Sequence, residues 1–183
     1  KGRFSFSSEV ETNRVRVEKE ETVPITNHIL LSKNLTSEEP TSVPIVIDKA
    51  ETIMLLRIMA QDDFVAGEIS SSEIYIEEIA KEYGWQNTMR WLNSIYLDNY
   101  SKPAILIGIM HCLSHFEFDN VKPEGQTMAL GLLQHEDVFV RDLAIRAYEN
   151  WNDKEALPIL KSLSYDTKWL RDYVDAVVKA LEQ

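Results

Sequence analysis

The sequence predicts a mainly α-helical protein. Its expected form is an α-solenoid of antiparallel helix pairs, preceded by a small extended or β-hairpin segment. Three observations carry this. From Asp48 onward, apolar residues recur at helical spacing between recognisable start and stop signals. Two windows near the C-terminus repeat each other at an offset of 30 residues (171 − 141). Before residue 48 the period is two, and Pro and polar residues interrupt it. The chain therefore divides into an N-terminal segment, 1–47, and a helical domain, 48–183.

The totals agree with one domain and a small appendage. The chain has 183 residues, 44% of them hydrophobic, enough for a core. It carries 19 basic and 30 acidic residues, a net charge of −11. The excess is spread out: residues 1–48 hold 6 basic and 8 acidic side chains, and residues 49–183 hold 13 and 22. An acidic body repels nucleic acid and anionic membrane, so neither is expected as a partner. The charge suits a basic protein partner, and it also suits plain solubility. The single Cys112 excludes an intrachain disulfide. The longest apolar run, Ala104 to Met110, is far short of the roughly 20 residues of a spanning helix. No signal peptide is visible, and the expected location is cytoplasmic. The chain opens on Lys1 and not on Met, as a domain cut from a longer protein would.

Taken in order, Phe4-Ser5-Phe6-Ser7 and Arg14-Val15-Arg16-Val17 alternate as half-buried strands do, with Thr12-Asn13 placed to turn the chain. A hairpin over 3–18 is expected. It would lean on the helical body or pair with strands elsewhere, since two strands alone are marginal. Residues 19–47 read as loop and extended chain, with Ile29-Leu30-Leu31 an anchor and Ile45-Val46-Ile47 a short strand or helix lead-in. Asp48 and Glu51 form a capping-box pair ahead of Ile53 to Met59. Ser70 and Glu73 form a second one, opening a helix that Gly84 stops. Further helices are predicted over 86–98, from Pro103 to about Phe116, and from Pro123 to about Gln134, with 117–122 as loop. The last three are predicted over 137–150, 153–164 and 167–181.

The repeated windows are Val140-Arg141-Asp142-Leu143-Ala144-Ile145-Arg146-Ala147 and Leu170-Arg171-Asp172-Tyr173-Val174-Asp175-Ala176-Val177. With Leu132-Leu133, Asp137, Trp151 and Glu155-Ala156-Leu157-Pro158-Ile159-Leu160, they resemble the HEAT-like, armadillo-like helical repeat. The resemblance is to the short form also found in phycobilisome-lyase-type repeat proteins. The resemblance covers 132–181, is loose over 70–131, and is absent from 1–47. It implies that Asp137 caps its helix and Arg141 braces the turn before it. In the next half-repeat Arg171 matches, but Thr167 stands opposite Asp137, with Asp166 one position earlier. Ala144 and Ala147 are the small residues that let helices approach. Asp172, Asp175, Lys179 and Glu182 give the last helix the polar outer face of a terminal cap.

Candidate chemistry is sparse. His111 and His115, with Cys112 between them, have the i, i+4 spacing of a zinc site, for which Glu117 or Asp119 would supply a further ligand. The competing reading is a packed helix with Leu106, Ile109, Met110, Leu113 and Phe116 as core and the histidines at its margin. That reading is preferred, and no metal or cofactor is expected. The resemblance brings three further comparisons. Deoxyhypusine hydroxylase holds iron with several His-Glu pairs, and this chain has only His135-Glu136. HEAT-like DNA glycosylases use aromatic residues, as Trp85, Trp91, Trp151 and Trp169 would serve, but with a basic groove this chain lacks. Phycobilisome-lyase relatives attach or detach chromophores, and only the repeat itself is shared with them. No Gly-rich phosphate loop, Gly-x-Ser-x-Gly elbow or paired Cys motif is present.

The expected function is therefore non-catalytic: a protein-binding scaffold or an inhibitor, of which an immunity protein against a basic toxin is one version. Asp142, Glu149, Asp153, Glu155, Asp172 and Asp175 are the expected partner-binding residues, on outer helix faces and turns. A regulatory or targeting domain of a larger enzyme is the alternative. A metal-dependent or nucleic-acid-acting enzyme is a third.

Overall fold

The computed structural model describes residues 46–65 and 67–183. The hairpin expected over 3–18 and the extended chain before Ile45 lie outside the described residues. Among those described, the protein is all-helical. Nine α-helices follow in order: α1 (Lys49–Met59), α2 (Ser71–Tyr83), α3 (Trp85–Asp98), α4 (Pro103–His115), α5 (Phe118–Val121), α6 (Glu124–Leu132), α7 (Val138–Asn150), α8 (Leu157–Ser162) and α9 (Lys168–Leu181). A 3₁₀ turn, Lys154–Ala156, leads into α8. No described helix is long and apolar enough to cross a membrane.

The hub is α4, the helix that holds the long apolar run. Leu106 and every residue from Gly108 to Ser114 are buried, as expected of a helix apolar on all sides. It packs on α7 most extensively and also meets α1, α2 and α3. On α7, Ala144 and Ala147 are small and fully buried. Trp151, at the end of α7, donates its indole N–H to the Leu113 carbonyl at 3.0 Å and stacks on Phe118. Gly108 serves a different contact of α4: a Cβ there would meet Phe64 at 3.0 Å and the sulfur of Met59, at the end of α1, at 3.3 Å.

The capping signals divide into kept and unkept. Ser70 accepts from the Glu73 backbone N–H at 3.2 Å, and the Glu73 carboxylate accepts from the Ser70 N–H at 2.7 Å, so the predicted box forms. Asp62 adds to the same helix start, accepting from the Ser72 N–H at 2.8 Å and the Ser72 hydroxyl at 2.6 Å. Gly84 ends α2 at φ 79°, a backbone state that L side chains resist. Asp137 accepts from the Phe139 and Val140 N–H groups, and Arg141 donates to the His135 and Glu136 carbonyls at 2.6 and 3.2 Å. Asp48, by contrast, makes no side-chain cap. Its expected partner Glu51 instead accepts from the Tyr75 hydroxyl of α2, a tertiary contact that outcompetes the local one. The predicted loop at 117–122 also contains a helix, α5, whose Phe118 covers Trp151. The helix predicted over 153–164 is shorter, a 3₁₀ turn followed by six α-helical residues.

Helices α7 and α9 lie in contact and run in the same direction. Tyr165, just before α9, sits under the Arg141 guanidinium near the start of α7. Tyr173, further along α9, sits under Arg146 and donates to Glu149 near the end of α7. Leu170, Val174, Val177 and Leu181 form the buried stripe of α9, while Asp172, Asp175, Lys179 and Glu182 are exposed.

Candidate functional site

Glu73 belongs to a local motif and to a distant one. Locally it closes the capping box of α2. That role points one carboxylate oxygen, Oε2, back at the Ser70 N–H, and leaves Oε1 free to face α4. There His115 Nδ1 lies 2.6 Å from Oε1, and His111 Nε2 lies 4.0 Å from Oε2. The two histidines share a helix face through their four-residue spacing, and their ring centroids are 4.5 Å apart. One ligand atom from each of Glu73, His111 and His115 falls within 4.8 Å of the others.

The cluster is buried at one end and open at the other. Glu73 and His111 are 4% and 5% exposed, and the His115 side chain is 25% exposed. Burial pushes His111 below the ordinary histidine range, and the neighbouring His115 adds to this. Glu73, a backbone hydrogen bond with Glu68, and Asp62 oppose the shift without cancelling it. Phe64 lies against the His111 ring at 5.0 Å between centroids. His111 Nε2 has no hydrogen-bond partner among the described residues. Two adjoining clefts reach the cluster. One, of 470 Å³, is bounded by Gly67, Ile69, Glu77 and Phe116 beside Glu73 and His115. The other, of 420 Å³, is bounded by Phe64, Asp142, Arg146 and Asn150 beside His111 and His115.

This corrects the expected composition of the His cluster. Glu117 and Asp119 are not its third member; Glu73, 42 residues before His115, is. Cys112 points elsewhere. It is fully buried with its sulfur 3.8 Å from the Ser70 hydroxyl, and burial drives its thiol far above the ordinary range. His111 is not marginal but buried. No local signal could have linked Glu73 to α4, because the residue is fully accounted for as a cap. His135 is structural, as the polar-turn reading has it. Its Nδ1 accepts from the Asp137 N–H at 3.0 Å, and its Nε2 donates to the Tyr100 carbonyl at 3.2 Å.

The six acidic residues expected at a partner surface are not alike. Glu155, Asp172 and Asp175 are exposed. Asp142 pairs with Arg146 at 3.2 Å, and Glu149 accepts from Tyr173. Asp153 is a correction: it is 4% exposed, accepting from the Glu155 N–H and from the Gln126 amide, so it is a cap and not an outer-face charge. What the surface does present is a repeated pair of aromatics. Phe139 and Trp169, at equivalent positions in α7 and α9, are 61% and 46% exposed. Exposed Glu136 and Asp166 precede them at equivalent positions. The 30-residue offset marks both pairs, and Trp169 is read more simply through it than as a base-stacking residue.

Fold and clusters together define a mainly helical protein with a carboxylate–bis-histidine group at its hub and exposed aromatics at the starts of α7 and α9. No family model matches the chain, and no curated protein or solved structure matches it.

Proposed function

We propose that residues 48–183 are a HEAT-like α-solenoid that binds a basic protein partner and has no catalysis of its own. The observation that carries this is the repeated edge: Phe139 and Trp169 stay exposed at the starts of two neighbouring helices of the same direction. A single exposed aromatic is ordinary, but two at one repeat position, each preceded by an acid, are arranged. Aromatic anchors supply most of the energy in protein interfaces, and flanking charge speeds encounter with an oppositely charged surface. Glu136, Asp166 and Asp175 supply that charge, while Asp172 is paired with Lys168 beside Trp169. In this reading the capped starts of α7 and α9 present the edge, and the partner is an enzyme or toxin to be inhibited or a component to be scaffolded.

The test is affinity capture from native cells with the wild-type chain and with a Phe139→Asp, Trp169→Asp variant of unchanged helical content. The expected result is a basic protein retained by the wild type, released as salt rises, and lost at least about tenfold in the variant. A partner retained equally by both, or none at low salt, overturns the reading.

A further inference from the structure

We propose that Glu73, His111 and His115 form a binding site for a divalent zinc ion, with its fourth coordination position open to the cleft between α4 and α7. The site goes beyond the protein-binding reading and does not depend on it. Three observations converge on it.

The first is spacing. A tetrahedral zinc with bonds of about 2.0–2.2 Å sets its ligand atoms roughly 3.3–3.5 Å apart. Here His115 Nδ1 lies 2.6 Å from Glu73 Oε1, His111 Nε2 lies 4.0 Å from Glu73 Oε2, and one ligand atom from each of the three residues lies within 4.8 Å of the others. The second is the unpartnered nitrogen. His111 Nε2 is buried against Phe64, aimed at the cluster, and unbonded among the described residues. Such a group is costly to bury, and an apolar residue of similar size would avoid the cost. A metal ion gives that nitrogen its partner. The third is support behind the ligands. The capping box fixes the Glu73 carboxylate through the Ser70 N–H, and Asp62 fixes the start of the same helix. Ligands held from behind in this way are the mark of a built site.

Two imidazoles and one carboxylate make up a donor set of zinc sites that keep an open position. The open side here faces Asp142, Arg146 and Asn150, so a water or a small anionic ligand would complete the sphere. Each imidazole binds zinc as the neutral base, so His115, ligating through Nδ1, carries its hydrogen on Nε2, and the Glu73 carboxylate oxygen becomes a ligand.

The test uses the full untagged chain, stripped with a chelator and titrated with zinc chloride in a calorimeter. Expected are one zinc per chain at micromolar affinity or tighter and a rise in melting temperature, with X-ray absorption reporting two imidazoles per zinc. Glu73→Gln is the informative variant, because Gln at that position still closes the capping box but brings no anionic ligand. It should fold normally and lose zinc affinity at least about tenfold; the His111→Ala, His115→Ala double variant should lose it entirely. Absence of stoichiometric zinc in the wild type overturns the proposal, as does zinc retained undiminished by a folded Glu73→Gln. Should the double variant fail to fold, cobalt in the wild type decides: intense visible absorption of a four-coordinate ion supports the site, and the weak spectrum of the aqueous ion overturns it.

Discussion

Asp137 and Thr167 occupy the same position 30 residues apart, yet only the first caps its helix. Asp137 accepts two backbone N–H groups, and Thr167 makes no side-chain cap. The difference sets an expectation for urea denaturation. Asp137→Ala should lower stability by about 1 kcal/mol and Thr167→Ala by a few tenths at most. Equal losses would mean that the capping geometry does not govern these helix starts. Arg141 shows the same divergence. It holds two carbonyls of the preceding turn, whereas Arg171 is exposed in the first turn of α9. Position in the repeat thus tells which residue type to expect, and the neighbouring turn decides whether its bonds form.

Among the elements, α4 and α7 bring together what the sequence made plain and what it concealed. The starts of α2, α4 and α7 and the stop at Gly84 were legible because caps, Pro and Gly act within a few residues of themselves. The buried stripe of α9 was legible from its period. Glu51 was misread because Tyr75 claims it across 24 residues, and Glu73 was half-read because its second partner lies across 42. Asp153 was misplaced for a related reason. A turn acid looks exposed in sequence, but Gln126 and the following 3₁₀ turn draw it inward. The buried face of α7 yields a prediction. Ala144 is fully buried in it, so Ala144→Leu should overpack the core and cost about 1–3 kcal/mol in a thermal or chemical melt. A variant as stable as the wild type would show that the core is loosely packed at that point.

For the molecule as a whole, acid is the weak side. His111 protonates less readily when folded than when unfolded, chiefly through burial and then through His115. Its contribution to stability is therefore complete above the unfolded value of about 6.5 and declines as pH falls through it, because the unfolded chain takes up the proton first. Asp62 acts at lower pH. Burial alone would raise it, but hydrogen bonds from Ser72 and Ser71 outweigh this and lower it, so its contribution is lost as acid protonates it. Urea midpoints taken with chelator present should be level from about pH 8 to 7 and fall from about pH 6.5 to 5. His111→Leu should flatten that upper limb, and an unchanged slope would remove His111 as its cause. The buried Cys112 bears on how such unfolding is followed in time. It is the only thiol in the chain, lies fully buried in the C-terminal half of α4, and is held protonated by its surroundings. A disulfide reagent can reach it only when the hub itself opens, so the rate of labelling at neutral pH reads directly as a clock for exposure of the core.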